Sequence, residues 1–142
     1  MAVIQFAVIA VLLGIEVYCD LKDRIIPNEI SFAIAVAAFI DFHPENLWGL
    51  LPAAMFFVGA LFTKIGGGDV KAVAAISLSL GLWKTLLLLF AAELSMLVFY
   101  GISVIIQKLR HKTADTALPF LHFITLGYIL TIFVLQIYST KG

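Results

Sequence analysis

The chain reads as long apolar runs separated by short polar breaks. Six runs stand out, at roughly residues 2–19, 30–42, 47–62, 70–82, 85–106 and 117–138. A helix that spans a bilayer needs about 20 apolar residues, and fewer if its ends snorkel or lie within protein. The pattern therefore predicts an all-α, polytopic membrane protein of about six transmembrane helices. It also predicts one membrane-embedded domain over residues 1–142. The second and fourth runs are short, and each directly follows a polar break. A helix that begins inside protein can be short, because its polar start lines a cavity rather than meeting lipid.

Those two breaks hold the candidate chemistry. The first is Asp20-Leu21-Lys22-Asp23-Arg24-Ile25-Ile26-Pro27-Asn28, and the second is Gly66-Gly67-Gly68-Asp69-Val70-Lys71. Each offers a carboxylate at the edge of apolar surroundings. Ionisable groups at such positions are costly and tend to be functional. Pro27-Asn28 reads as the turn that starts the second helix, and His43-Pro44-Glu45-Asn46 as a tight turn. Residues 107–116 form the longest polar stretch and read as a loop.

Composition agrees with the pattern. Hydrophobic residues make up 63% of the chain and charged ones 13%, against about 25% charged in a typical soluble domain. Mean hydropathy is +1.10. The formal net charge is zero, so no basic patch points to nucleic acid. Cys19 is the one cysteine, which excludes an internal disulfide and a cysteine-rich zinc site. His43, His111 and His122 lack metal-ligand spacing, so neither metal nor cofactor is expected. Residues 1–18 lack a basic start and a small-residue cleavage site and read as a retained membrane helix.

Charge placement adds orientation. The breaks after the first, third and fifth runs carry Lys22, Arg24, Lys64, Lys71, Lys108, Arg110 and Lys112, while the other side has only Lys84 and Lys141. This bias places the first set in the cytoplasm and both termini outside it. Asp20 and Asp69 then fall on the same, cytoplasmic face. Trp48 and Trp83 lie on the outer side and read as interface anchors.

Each carboxylate also has a plainer reading. Asp69 follows three glycines, which allow positive φ and close approach of a ligand, but it could simply cap the next helix. Asp20 could be a solvated helix-end charge near Lys22 and Arg24. Two carboxylates in one site, however, can share a proton, so that one activates water while the other polarises a carbonyl. Glu16 lies one turn before Asp20 on the same helix face and is either a supporting polar group or a headgroup-level residue. Asp23 competes for the first role but reads as a surface ion pair. Glu93, inside the fifth run, reads as a structural hydrogen-bonding group. Lys71 either neutralises an aspartate or snorkels to lipid phosphates. Asp41, Glu45 and Asp115 receive no role.

These residues resemble the signatures of the type IV prepilin peptidases, membrane aspartic proteases with a Gly-x-Gly-Asp motif. Residues 66–69 with Lys71 match that motif. Asp20, with Ile26-Pro27-Asn28 behind it, is similar to the family's first aspartate motif. Leu118-Pro119-Phe120 leading to Gly127 is a weaker third likeness, and Leu121-His122 departs from it. The resemblance implies about six helices and a catalytic pair, Asp20 and Asp69, at the cytoplasmic face. Gly66, Gly67, Gly68, Lys71, Asp23, Pro27 and Asn28 would be supporting residues. It implies a prepilin substrate, cut behind a short basic leader as its hydrophobic helix docks laterally from the bilayer. The compact chain, without a cysteine tetrad, resembles the Tad/Flp-type peptidases and is expected to lack N-methyltransferase activity. An archaeal preflagellin peptidase is the near alternative. A cation-coupled transporter or channel and a non-catalytic assembly scaffold are the rivals from other classes.

Overall fold

The computed structural model describes residues 2–63, 66–110 and 120–141. These residues form helices and no strands. In chain order they are α1 (Ala2–Asp23), α2 (Asn28–Ala38), a 3-10 helix (Pro44–Gly49) that runs into α3 (Leu50–Phe62), α4 (Gly67–Arg110) and α5 (Phe120–Lys141). Four of these stretches are long and apolar enough to cross a membrane: α1, the joined 3-10 helix and α3, α4, and α5. The 11-residue α2 is not.

The 44 residues of α4 are not one straight helix. Gly81 has φ 74° and ψ −177°, a backbone state open to glycine and strained for residues with a Cβ. The chain turns back there. The sequence pattern places this break two to three residues later, around Trp83-Lys84; the structure moves it to Gly81, which alone can take the required φ. Asn46 covers the turn, its side-chain amide donating to the Ser79 carbonyl at 3.4 Å. His43-Pro44-Glu45-Asn46, expected as a tight turn, instead opens the 3-10 helix, with Pro44 at a position where its missing N–H costs nothing.

Side-chain bonds and contacts fix the directions of the helices. Gln5, near the start of α1, donates to the Ala37 and Ala38 carbonyls at the end of α2, at 3.2 and 2.7 Å. Ser31, near the start of α2, donates to Glu16, near the end of α1. The two helices are therefore antiparallel. Lys71 joins the start of α4 to the start of α2. Gly127 of α5 lies against Leu88 and Ala92, while Phe123 meets Phe99, so α5 runs against the second part of α4. The starts of α2 and α4 and the end of α1 consequently share one end of the bundle.

The core draws on all five α-helices, with Ala53 and Phe56 from α3, and with Ile9, Leu13, Ile34, Ile76, Leu88 and Ile124 fully enclosed. The outside is also oily: Phe32, Phe62, Trp83, Phe90 and Phe133 are all exposed. An apolar exterior around a packed apolar core is what a lipid solvent allows. There, helices associate through close packing rather than through removal of apolar surface from water. α4 stays helical through Arg110, into the stretch expected as a loop; Lys64, the rest of that loop, Leu118 and Pro119 lie outside the described residues.

Candidate active site

The first polar break is built as a helix stop followed by a helix start. The Arg24 N–H donates to the Asp20 carbonyl at 3.0 Å, and Arg24 takes φ 55°, a left-handed residue that closes α1. Pro27 then sits at the N-cap of α2 in an extended conformation. Its carbonyl accepts from the N–H groups of Ile30 and Ser31. Pro27-Asn28 thus begins the second helix, as its sequence suggests.

The second break is the first turn of α4. The Asp69 N–H donates to the Gly66 carbonyl at 3.1 Å, and the carboxylate lies back beside Gly66. A carboxylate in a first turn is favoured by the free N–H groups and dipole there, so the capping reading of Asp69 holds in part. The glycine run does not use its freedom of φ: among the described residues only Gly81 and Arg24 take positive φ. Gly68 has a different purpose. A Cβ on it would lie 2.6 Å from Ile26 Cδ1 and 2.9 Å from Ile26 Cβ. The absent side chain lets the loop of the first break lie directly on the start of α4.

That contact assembles the acidic groups. Asp20 and Asp69 are half-buried, and the negative charge of Asp20 bears on Asp69. The charge of Asp69 in turn bears on Glu16. Glu16 is fully enclosed. Its Oε1 accepts from Ser31 Oγ at 2.6 Å, and its Oε2 has no partner. This makes Glu16 an inner polar group of the same end and excludes the headgroup-level reading.

Lys71 Nζ donates to Asn28 Oδ1 at 2.7 Å on the exposed rim. It is thus bonded to the neighbouring helix rather than to an aspartate. Asp23 is exposed at the last turn of α1, and Gly66 and Gly67 are open to the outside. Glu93 is exposed in a cleft between α3 and α4, which corrects its reading as an internal hydrogen-bonding group. Ser31 is the residue that sequence reasoning missed. Its signal was present: it is the one hydroxyl in an otherwise apolar stretch, three residues after Asn28.

Fold and site together describe a helical protein of the lipid bilayer with acidic side chains gathered at one end of its bundle. Comparison with known families makes this specific. The type IV leader peptidase family matches residues 7–102, a stretch that includes both polar breaks, and the chain belongs to that family of peptidases. The third likeness, at residues 118–127, falls outside the matched stretch. No curated protein and no solved structure matches the chain.

Proposed function

We propose that the protein is a membrane aspartic endopeptidase that removes the short leader from type IV, Flp-like prepilin precursors at the cytoplasmic membrane face. The observation that carries this reading is the close packing of the two polar breaks, Gly68 against Ile26, in a member of a leader peptidase family. In the proposed reaction one aspartate, ionised, takes a proton from a water molecule. The resulting hydroxide attacks the scissile carbonyl, while the other aspartate, protonated, donates to its oxygen. Collapse of the tetrahedral adduct sends a proton to the leaving amine and breaks the C–N bond. The roles of base and acid are assigned to the pair rather than to either residue.

The same reading gives a topology. Six crossings, with α4 counted as two on either side of Gly81, put both termini outside the cytoplasm and both aspartates within reach of it. The short helices α2 and the first part of α4 then start on the polar site instead of in lipid. Gly68 joins the two motifs, Lys71 and Asn28 hold the rim, and Asp23 stands at the outer edge. The chemistry that Asp20 and Asp69 supply in this reading is proteolysis.

A cleavage assay tests it. The protein is co-expressed with a tagged Flp-like prepilin, and the precursor is followed on a gel. Wild type converts it; Asp20→Asn and Asp69→Asn each stop conversion, by at least about a thousandfold given what loss of either member of a catalytic unit costs, while both variants still insert. Conversion that survives both substitutions overturns the reading.

A further inference from the structure

We propose that the groove between α2 and the first part of α4 is the docking site for the start of the substrate's hydrophobic helix. This inference rests on the prepilin reading and assigns the surface that reading needs. The groove is a cleft of about 740 Å³. Its walls come from one face of each helix: Ser31, Phe32 and Ala35 of α2, and Ala74, Ala75 and Leu78 of α4. Residues at such three- and four-residue spacings lie along one helix face. Between residues 28 and 35, or 71 and 78, the groove runs for ~10 Å, about two helical turns.

Three features select the occupant. First, the groove starts at the last residue of each polar break, Asn28 and Lys71. Lys71, two residues from Asp69, and Asn28 form its mouth, and Ser31 in its wall holds Glu16. A helix lying in it would begin beside the aspartates. Second, its floor is small. Ser31, Ala35, Ala74 and Ala75 let a second helix approach closely, which is how helices associate in lipid. Third, Glu29 is exposed at the mouth. A carboxylate there complements a basic leader lying on the cytoplasmic side of the scissile bond, a need that Lys22, Arg24 and Lys71 do not meet.

Two other clefts offer apolar walls but are lined by no residue of either polar break. One, of about 480 Å³ between α3 and the second part of α4, contains Glu93 and Phe90. The other, of about 660 Å³ between α1 and α5, reaches Lys84 and Phe133 towards the opposite end. Each groove carries one well-exposed phenylalanine: Phe32 at 70%, Phe90 at 67% and Phe133 at 61%. They form a matched set of probes.

The test places a photo-crosslinking phenylalanine analogue at position 32, 90 or 133 of the Asp69→Asn protein, with a tagged Flp-like prepilin as the probe. The expected result is an adduct from position 32 at least tenfold stronger than from 90 or 133. Ala74→Phe in the otherwise wild-type protein, which fills the groove, should slow cleavage at least tenfold with unchanged membrane insertion. An adduct strongest at 90 or 133, equal adducts at all three, or none at 32 overturns the assignment. So does full-rate cleavage by Ala74→Phe. If wild type cleaves while the adducts point elsewhere, only the groove is wrong; if wild type leaves the precursor intact, the prepilin reading fails and takes the groove with it.

Discussion

The two ends of the helical bundle are held together in different ways. At the end that carries Gly81, polar side chains are spent on backbone groups. Gln5 bonds the last carbonyls of α2, and Asn46 bonds the carbonyl of Ser79 beside the turn. Backbones also touch closely there: a Cβ on Gly49 would run into the Ser77 carbonyl oxygen. At the other end acids gather, half-buried or buried, and Glu16 Oε2 is left without a partner. Buried polar groups are normally paired, so an orphaned one calls for a reason. The Gly81 end is tight, although Thr85 Oγ1 beside the turn is also buried without a partner. At the other end, among the described residues, the unpartnered buried oxygen of Glu16 belongs to a carboxyl, a group that can take part in proton chemistry.

Substitutions at each end sharpen that contrast. The largest effect on folding is expected from Gly49→Ala. The new methyl would meet backbone, which cannot swing aside, so destabilisation should reach about 3 kcal/mol, the upper part of the range for overpacking. Thermal melting of the detergent-solubilised protein measures it, and a melting point equal to that of wild type would show that this end is loose.

Ser31→Ala comes next. It removes the one partner of an enclosed carboxyl and should cost about 1.5–3 kcal/mol, the value of a hydrogen bond to a group of this kind. Its expected signature is a lowered melting point together with slower cleavage, because Glu16 neighbours Asp69. A melting point lowered with the cleavage rate untouched would separate Glu16 from the site.

The smallest effect belongs to Gly59→Ala. A Cβ at this exposed helical position has open space around it, so the change should be neutral or stabilise by up to about 1 kcal/mol through helix propensity. Clear destabilisation there would mean that the face of α3 is covered in the membrane.

Much of this was legible in the sequence because apolar runs and helices obey the same length rule. The six runs correspond to helical segments of the structure, with α4 divided at Gly81. The break itself was misplaced because hydropathy sees Trp83-Lys84 as the polar interruption, whereas backbone geometry turns on a glycine that is neutral to hydropathy. Asp20 and Asp69 were legible as candidates because a carboxylate in an oily chain is conspicuous. The role of Gly68 was not. A run of glycines suggests unusual φ, yet here it serves contact with Ile26, a residue 42 positions away, which no local pattern encodes. Lys71 and Ser31 were opaque for the same reason, since their partners Asn28 and Glu16 lie on other helices.

The central claim is that the two polar breaks form one site on one membrane face. Single cysteines at Lys22 and Gly66, each in a Cys19→Ser background, test it most directly. Both positions are exposed, and a membrane-impermeant thiol reagent reports the side each one faces. Both should react in inverted vesicles and stay unlabelled in right-side-out ones. Labelling of the two positions from opposite sides would contradict a shared site.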